Sequence, residues 1–174
     1  EVWVQLGKAN EAIGMPEKAL ACYLVSWRMN PEDYNALVGA AKVYNTLNQP
    51  DNALNMAQKA LQKNFTAEAS WEYARACISL NRSAEAKKAL EKVIQSDSSN
   101  TIANRELGQI YFNEKAWDKS IALLKKISKK EQNGQIAYKI GKAYLEKGVA
   151  DSAVNYLKIA ASTGADSDVS LDLA

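Results

Sequence analysis

The sequence predicts an all-α protein, a solenoid of stacked antiparallel helix pairs. Small residues recur at intervals of 33 or 34 residues, and a second set of small residues lies twelve positions before the first set. A fixed period of this length indicates a repeat array, in which each unit buries its apolar face only against its neighbours. The two sets are Ala19, Ala53, Ala86, Ser120 and Ala153, and Gly7, Ala41, Ala74, Gly108 and Gly141.

Each repeat is predicted to contain two amphipathic helices, and the fourth repeat gives the clearest pattern. Leu107 and Tyr111 lie four residues apart on one face of its first helix, with Gly108 beside them. Ser120 and Leu124 belong to a similar apolar stripe on its second helix. Small residues on both stripes let the paired helices approach closely. Residues that favour turns interrupt the pattern once in each repeat, at Gly14, Asn48, Asn81, Lys115 and Gly148.

The repeats follow one another without a linker, because glycine and proline are few and no low-complexity segment interrupts the array. We expect one domain over residues 1–174, and we expect the array to continue in a longer protein. Proline at positions 16 and 50 predicts the first turn of a second helix, where a missing N–H is tolerated. The predicted repeats span residues 1–33, 34–66, 67–100, 101–133 and 134–165, with a further helix beginning in 166–174 near Asp168.

The third repeat departs most from the common pattern. It has Ser70 at a position where a large apolar side chain is expected. Opening free energies vary along quasi-linear folds of this kind. We therefore expect residues 67–98 to exchange their amide hydrogens faster than the fourth and fifth repeats.

The residues at fixed places of the repeat resemble the tetratricopeptide pattern. The first repeat has Trp3, Leu6, Gly7, Ala19, Tyr23, Ser26 and Pro31 at these places. The tyrosine that this pattern has in its first helix is present in three later repeats as Tyr44, Tyr111 and Tyr144. The resemblance covers nearly the whole chain. It implies a right-handed superhelix, with the first helix of each pair lining the concave face, and a role as a protein-interaction scaffold.

The resemblance also implies which side chains face the concave groove. Four of five repeats place a cation at one groove position, and aromatic side chains stand at neighbouring positions of the later repeats. An extended acidic segment of a partner protein would meet positive charge along its length and apolar anchor points toward one end. The predicted groove residues are Lys8, Lys42, Arg75, Lys142, Trp71, Arg105, Tyr138 and Phe112.

Catalysis is not expected of this chain. It contains no histidine, so the commonest general base and metal ligand are both missing. Its two cysteines, Cys22 and Cys77, belong to different repeats and are predicted to be buried free thiols. No glycine-rich phosphate loop is present, and no cofactor, metal or small-molecule substrate is indicated. Acidic residues are expected on solvated helix faces, at Glu11, Glu72, Glu106 and Glu146.

Charge and hydropathy narrow the range of partners. The net charge is only +2, with lysine far more frequent than arginine, which does not favour nucleic acid. Six lysines lie between Lys115 and Lys130, where cations complement the carboxyl end of a helix. The apolar stretches are too short to cross a membrane.

Two further interpretations remain beside the scaffold. The chain could be the recruitment or regulatory region of a larger enzyme or of a transport or secretion protein. It could also self-associate, because the ends of a repeat array expose apolar stacking faces that fit a second copy.

Overall fold

The computed structural model describes residues 1–128 and 134–163 of the chain. Across these residues all regular secondary structure is α-helical, which confirms the predicted fold class. The further helix predicted near Asp168 lies outside the described residues. Ten helices lie within the described ranges: α1 (Val2–Ala12), α2 (Pro16–Met29), α3 (Tyr34–Thr46), α4 (Pro50–Lys63), α5 (Ala67–Ser79), α6 (Ser83–Ser96), α7 (Thr101–Asn113), α8 (Trp117–Ser128), α9 (Gly134–Glu146) and α10 (Ala150–Ser162).

Consecutive helices pack in five pairs, α1 with α2 and so on to α9 with α10. Turns of three residues join the helices of each pair, so the two helices run antiparallel. In the first three repeats, α1 also packs against α3 and α3 against α5. The first helices of these repeats therefore form one layer, as expected for a helical repeat fold.

The first helix of every pair is followed by a residue with positive φ, and these five residues are the predicted turn positions. In the second repeat, the N–H of Asn48 donates to the carbonyl of Asn45, and the N–H of Gln49 donates to that of Tyr44 at 2.9 Å. This pair of bonds is a Schellman motif, which satisfies carbonyls at the end of the helix. The positive φ angles are 73° at Gly14, 55° at Asn48, 58° at Asn81, 58° at Lys115 and 74° at Gly148.

Proline or a capping side chain begins five of the helices in the described part of the chain. Pro16 and Pro50 stand at the start of α2 and α4, as predicted. Asp33, Thr66 and Asn100 precede α3, α5 and α7, and a side-chain oxygen of each accepts a backbone N–H of the first turn. These bonds satisfy amide groups that have no partner within the helix.

The small residues of both predicted sets are buried, which confirms the predicted register. The glycines show why the side chains at such positions must be small. A Cβ at Gly7 would lie 2.7 Å from Cε1 of Tyr23, and a Cβ at Gly39 would lie 2.6 Å from the same atom. At Gly108, a Cβ would lie 2.8 Å from Cδ2 of Leu124. A methyl group at these positions would therefore force the side chain of Tyr23 or Leu124 to shift.

The chain divides into two compact units, Glu1–Ser96 and Asp97 onwards. The first unit contains α1 to α6, and the second contains α7 to α10. A single domain over residues 1–174 therefore stays a prediction. None of the helices in the described residues is long and apolar enough to cross a membrane.

Candidate functional site

The first helices of the first unit bring two of the predicted groove cations together. Lys8 on α1 and Lys42 on α3 both line a pocket of about 180 Å³. We call this the Lys8–Lys42 pocket. Trp71 and Arg75 on α5 are partly buried and do not line it. The remaining lining residues are Glu11, Tyr23, Asn35, Val38, Gly39 and Glu68.

Lys42 is held in place by a chain of polar contacts. Its Nζ lies 2.6 Å from Oε2 of Glu11, while the other oxygen of Glu11 accepts a hydrogen bond from the Tyr23 hydroxyl at 2.5 Å. The bond to Glu11 raises the pKa of Lys42, against the lowering effect of burial. Burial, and then the hydrogen bond to Glu11, raise the pKa of Tyr23. The Lys42 side chain is still 49% exposed, so it can contact a partner from a fixed position.

Arg75 is tied to a buried carboxylate, which corrects one expectation. Glu72 was expected on a solvated face, yet it is only 3% exposed. Burial raises the pKa of its carboxyl group, and the hydrogen bond from Asn45 and the charge of Arg75 both lower it. Asn45 Nδ2 donates to Oε2 of Glu72 at 2.8 Å, and Arg75 Nη1 lies 3.3 Å from the same oxygen. Arg75, a predicted groove cation, thus lies beside a buried acidic group of the first unit.

Lys8 differs from the other two cations of this surface. Its side chain is exposed, and within residues 1–128 and 134–163 it makes no ion pair or hydrogen bond. Lys42 and Arg75 both contact a glutamate. Lys8 is therefore the cation of this surface that is most available to a carboxylate of a partner.

The other four predicted groove residues lie in the second unit. Lys142 Nζ donates to the hydroxyl of Tyr138 at 3.0 Å and lies 5.3 Å from the centre of its ring. Phe112 packs edge-on against Trp117, with ring centroids 5.2 Å apart. Arg105 on α7 is partly buried. These contacts hold Phe112 within an apolar cluster of the second unit and leave Tyr138 as a partner for Lys142.

Sequence reasoning did not single out Lys139, a partly buried residue of α9 three positions before Lys142. Burial lowers the pKa of Lys139, the charge of Glu106 raises it, and the charge of Arg105 lowers it. Lysine side chains often bury part of their hydrocarbon stem in this way. Its place in the repeat could have drawn attention, because Glu72 and Glu106 occupy the same place in the third and fourth repeats.

At least one lysine of the lysine-rich stretch before residue 130 packs against neighbouring aromatic side chains. Lys125 Nζ donates to the hydroxyl of Tyr144 at 2.8 Å and lies 5.2 Å from the centre of that ring. The ring of Tyr156 stacks on Tyr144 and also approaches Lys125. The bond to Tyr144 raises the pKa of Lys125. Lys129 and Lys130 lie outside the described residues.

The described residues contain no group of three or more side chains suited to hold a metal ion. Cys22 and Cys77 are free and buried, as predicted. Burial raises the pKa of Cys77 to about 11. A thiol with so high a pKa is a poor nucleophile at neutral pH, because the thiolate is the reactive form.

Comparison with known proteins identifies the fold. A family model for the tetratricopeptide repeat matches residues 78–143. The crystal structure of MamA is 25% identical, with a TM-score of 0.83, over 91% of this chain and 94% of that one. MamA from Desulfovibrio magneticus RS-1 is 17% identical, with a TM-score of 0.83, over 96% of both chains. No curated protein matches the chain by sequence.

A second similar structure is that of YrrB, described as a TPR protein with an unusual peptide-binding site. It is 19% identical to this chain and has a TM-score of 0.84. The match covers 98% of this chain and 89% of YrrB.

Proposed function

We propose that this chain, which has the fold of tetratricopeptide repeat proteins, is a protein-interaction scaffold that binds an extended segment of a partner along α1, α3 and α5. The three helices form one layer of the first unit and carry Lys8, Lys42, Trp71 and Arg75. YrrB, which has a similar fold, is described as having a peptide-binding site. The chain would act without catalysis.

The observation that carries this proposal is that Lys8, which lines the Lys8–Lys42 pocket, has no ion pair within the described residues. Two cations and two acids line the pocket, but Glu11 is already occupied by Lys42 and Tyr23. An acidic side chain of the partner would pair with Lys8 and contact the exposed part of Lys42. Exposed pairs of this kind contribute modestly to affinity and more strongly to orientation and association rate.

Trp71 gives the partner segment an apolar contact on the third helix of the layer. It lies four residues before Arg75 on α5 and is only partly buried, so a partner can still contact it. Replacing Trp71 with alanine should weaken binding in a way that depends little on salt, because large aromatic side chains contribute by burial.

Charge reversal at Lys8 is the cleanest test. We expect an array of short synthetic peptides of acidic, neutral and basic composition to show preferential binding of the acidic ones. Binding should weaken as salt rises, since exposed charges are screened over about 8–10 Å at ordinary ionic strength. Lys8→Glu should weaken binding several-fold without changing the unfolding midpoint.

The control is Lys18→Glu, which reverses an exposed lysine on α2. Arg75→Glu is unsuitable, because it would place a second carboxylate beside the buried Glu72. Lys125 is equally unsuitable as a control, because it packs against Tyr144. Equal binding by wild type and Lys8→Glu, or an equal loss in Lys18→Glu, would refute the proposed surface.

A further inference from the structure

We propose that the first unit has a second binding site, formed by α4, α5 and α6, for a tyrosine side chain flanked by acidic residues in a partner protein. The site is a cavity of about 350 Å³, which we call the α4–α6 cavity. None of its lining residues lines the Lys8–Lys42 pocket, so it goes beyond the surface proposed above.

The walls of the cavity combine an apolar surface with several polar and charged side chains, which can fix the orientation of a ligand. Its apolar and aromatic lining residues are Leu61, Phe65, Tyr73 and Ala89. Its volume lies at the lower end of the range for small ligand pockets, which suits one large side chain. The other lining residues are Gln58, Gln62, Ser70, Glu85, Lys88 and Lys92.

Ser70 explains why there is a cavity here. In the preceding repeat the equivalent residue is Leu37, which is fully buried and fills the core. The serine side chain is much smaller, and Ser70 lines the α4–α6 cavity. The departure from the repeat pattern at this one position thus corresponds to open space beside α5.

Ser70 also has an unsatisfied hydroxyl group. The residue is 0% exposed, and its Oγ has no hydrogen-bond partner among the described residues. A buried polar group without a partner costs about 1–3 kcal/mol, so such groups are rare in native proteins. A ligand with a polar atom at its inner end would provide the missing partner once the side chains around Ser70 move apart, because no surface of Ser70 is accessible without it.

The entrance to the cavity favours an acidic neighbour on the ligand. Lys88 is exposed, and Lys92 lies with its Nζ 5.3 Å from the centre of the Phe65 ring. Glu85 is already engaged, since it accepts a hydrogen bond from Tyr73 at 2.8 Å and lies 4.0 Å from Arg82. The two lysines therefore leave a net positive charge at the rim.

A tyrosine side chain flanked by acidic residues matches the apolar walls, the unsatisfied hydroxyl group of Ser70 and the two lysines together. Its ring is a large apolar group, and its hydroxyl can both donate and accept a hydrogen bond. Inserted between Leu61 and Ala89, the ring would occupy the space that a large residue at position 70 would fill. An adjacent glutamate or aspartate would then meet Lys88 and Lys92.

A double-mutant cycle tests the contact with Ser70. The probes are two capped tripeptides, acetyl-Glu-Tyr-Glu-amide and acetyl-Glu-Phe-Glu-amide, titrated into the 15N-labelled chain while amide shifts of α5 and α6 are followed. We expect the tyrosine peptide to bind about two- to tenfold more tightly than the phenylalanine peptide. This ratio of affinities is what one additional hydrogen bond contributes. In Ser70→Ala this difference should disappear. An unchanged difference in Ser70→Ala would overturn the proposal.

Two further variants test the cavity and its rim. Ser70→Leu should fill the cavity and weaken binding of the tyrosine peptide by more than tenfold. Lys88→Glu, an exposed change that leaves the fold intact, should weaken binding several-fold, whereas Lys18→Glu should have no effect. Full binding by Ser70→Leu or Lys88→Glu, or shifts confined to α1 and α3, would overturn the second site. Lys8→Glu separates the two surfaces, because it should weaken binding of acidic peptides at the first site and leave the shifts that the tyrosine peptide causes in α6 unchanged.

Discussion

Helices α3 and α5 occupy the same place in successive repeats, yet they bury different groups. Leu37 and Gly39 on α3 correspond to Ser70 and Glu72 on α5, 33 residues later. All four residues are buried. The repeat period therefore determines which positions are buried, but it does not determine whether the buried group packs, hydrogen-bonds or carries a charge.

This difference divides the first unit into a part built for packing and a part built around polar groups. On α3, Leu37 fills the core and Gly39 admits the ring of Tyr23. On α5, Glu72 obtains its partners from Asn45 and Arg75, and Ser70 has none among the described residues. Replacing an apolar residue of α3 by its polar counterpart from α5 should lower stability. The reverse replacement on α5 should raise it.

The largest effect is expected when α3 is made to resemble α5. Leu37→Ser removes a fully buried side chain and leaves a hydroxyl in an apolar core. Truncating a buried leucine to alanine costs about 2–5 kcal/mol, and the serine should cost at least as much. Denaturant unfolding monitored by circular dichroism would measure it. A loss well below this range would mean that the core around α3 can rearrange.

The next largest loss of stability is expected when the space beside Tyr23 is filled. Gly39→Ala places a Cβ 2.6 Å from the ring, and Tyr23 is too buried to move aside easily. Overpacking of this kind costs about 1–3 kcal/mol. Denaturant unfolding would measure this loss against the wild type. If Gly39→Ala unfolds at the same denaturant concentration as the wild type, the ring does not set the spacing of these helices.

A smaller effect of opposite sign is expected when α5 is made to resemble α3. Ser70→Leu fills the α4–α6 cavity and removes an unsatisfied hydroxyl, and changes of this type commonly raise stability by about 0.5–2 kcal/mol. Hydrogen exchange of residues 67–96 should slow in this variant. In the wild type these amides should exchange faster than those of α3 and α4. Destabilisation by Ser70→Leu would show that α4 and α6 already pack tightly around the serine.

The smallest effect depends on pH and on Glu72. Burial raises the pKa of its carboxyl group in the folded chain above the unfolded value, so the folded state binds its proton more tightly. Stability should therefore fall as pH rises above about 4.3, the usual glutamate pKa, and level off once the folded carboxyl is ionised. Glu72→Gln should lack this fall. The control is Glu146→Gln, which removes an exposed carboxylate. Parallel pH curves for wild type and Glu72→Gln would contradict the raised pKa.

The sequence alone could predict the helices and turns because their signals are local and repeated. Gly14 and Asn48, for example, occur at the same place in their repeats and both have positive φ. The burial of Glu72 was missed because its partner Asn45 comes from the neighbouring repeat, 27 residues earlier. The ion pair of Lys42 with Glu11 was missed for the same reason, although both residues were expected at the surface. A pattern that treats repeats one at a time does not contain contacts between repeats.

The ring of Tyr23 makes the order of the repeats matter. It belongs to the first repeat, but it requires a glycine in its own first helix, Gly7, and another in the first helix that follows, Gly39. The third repeat has Glu72 at that second place. Deleting the second repeat would therefore bring a glutamate against the ring, and shuffling the repeats would break a contact that no single repeat encodes. The first two repeats of this chain are therefore not interchangeable with the others, because the ring of one is matched to a glycine of the next.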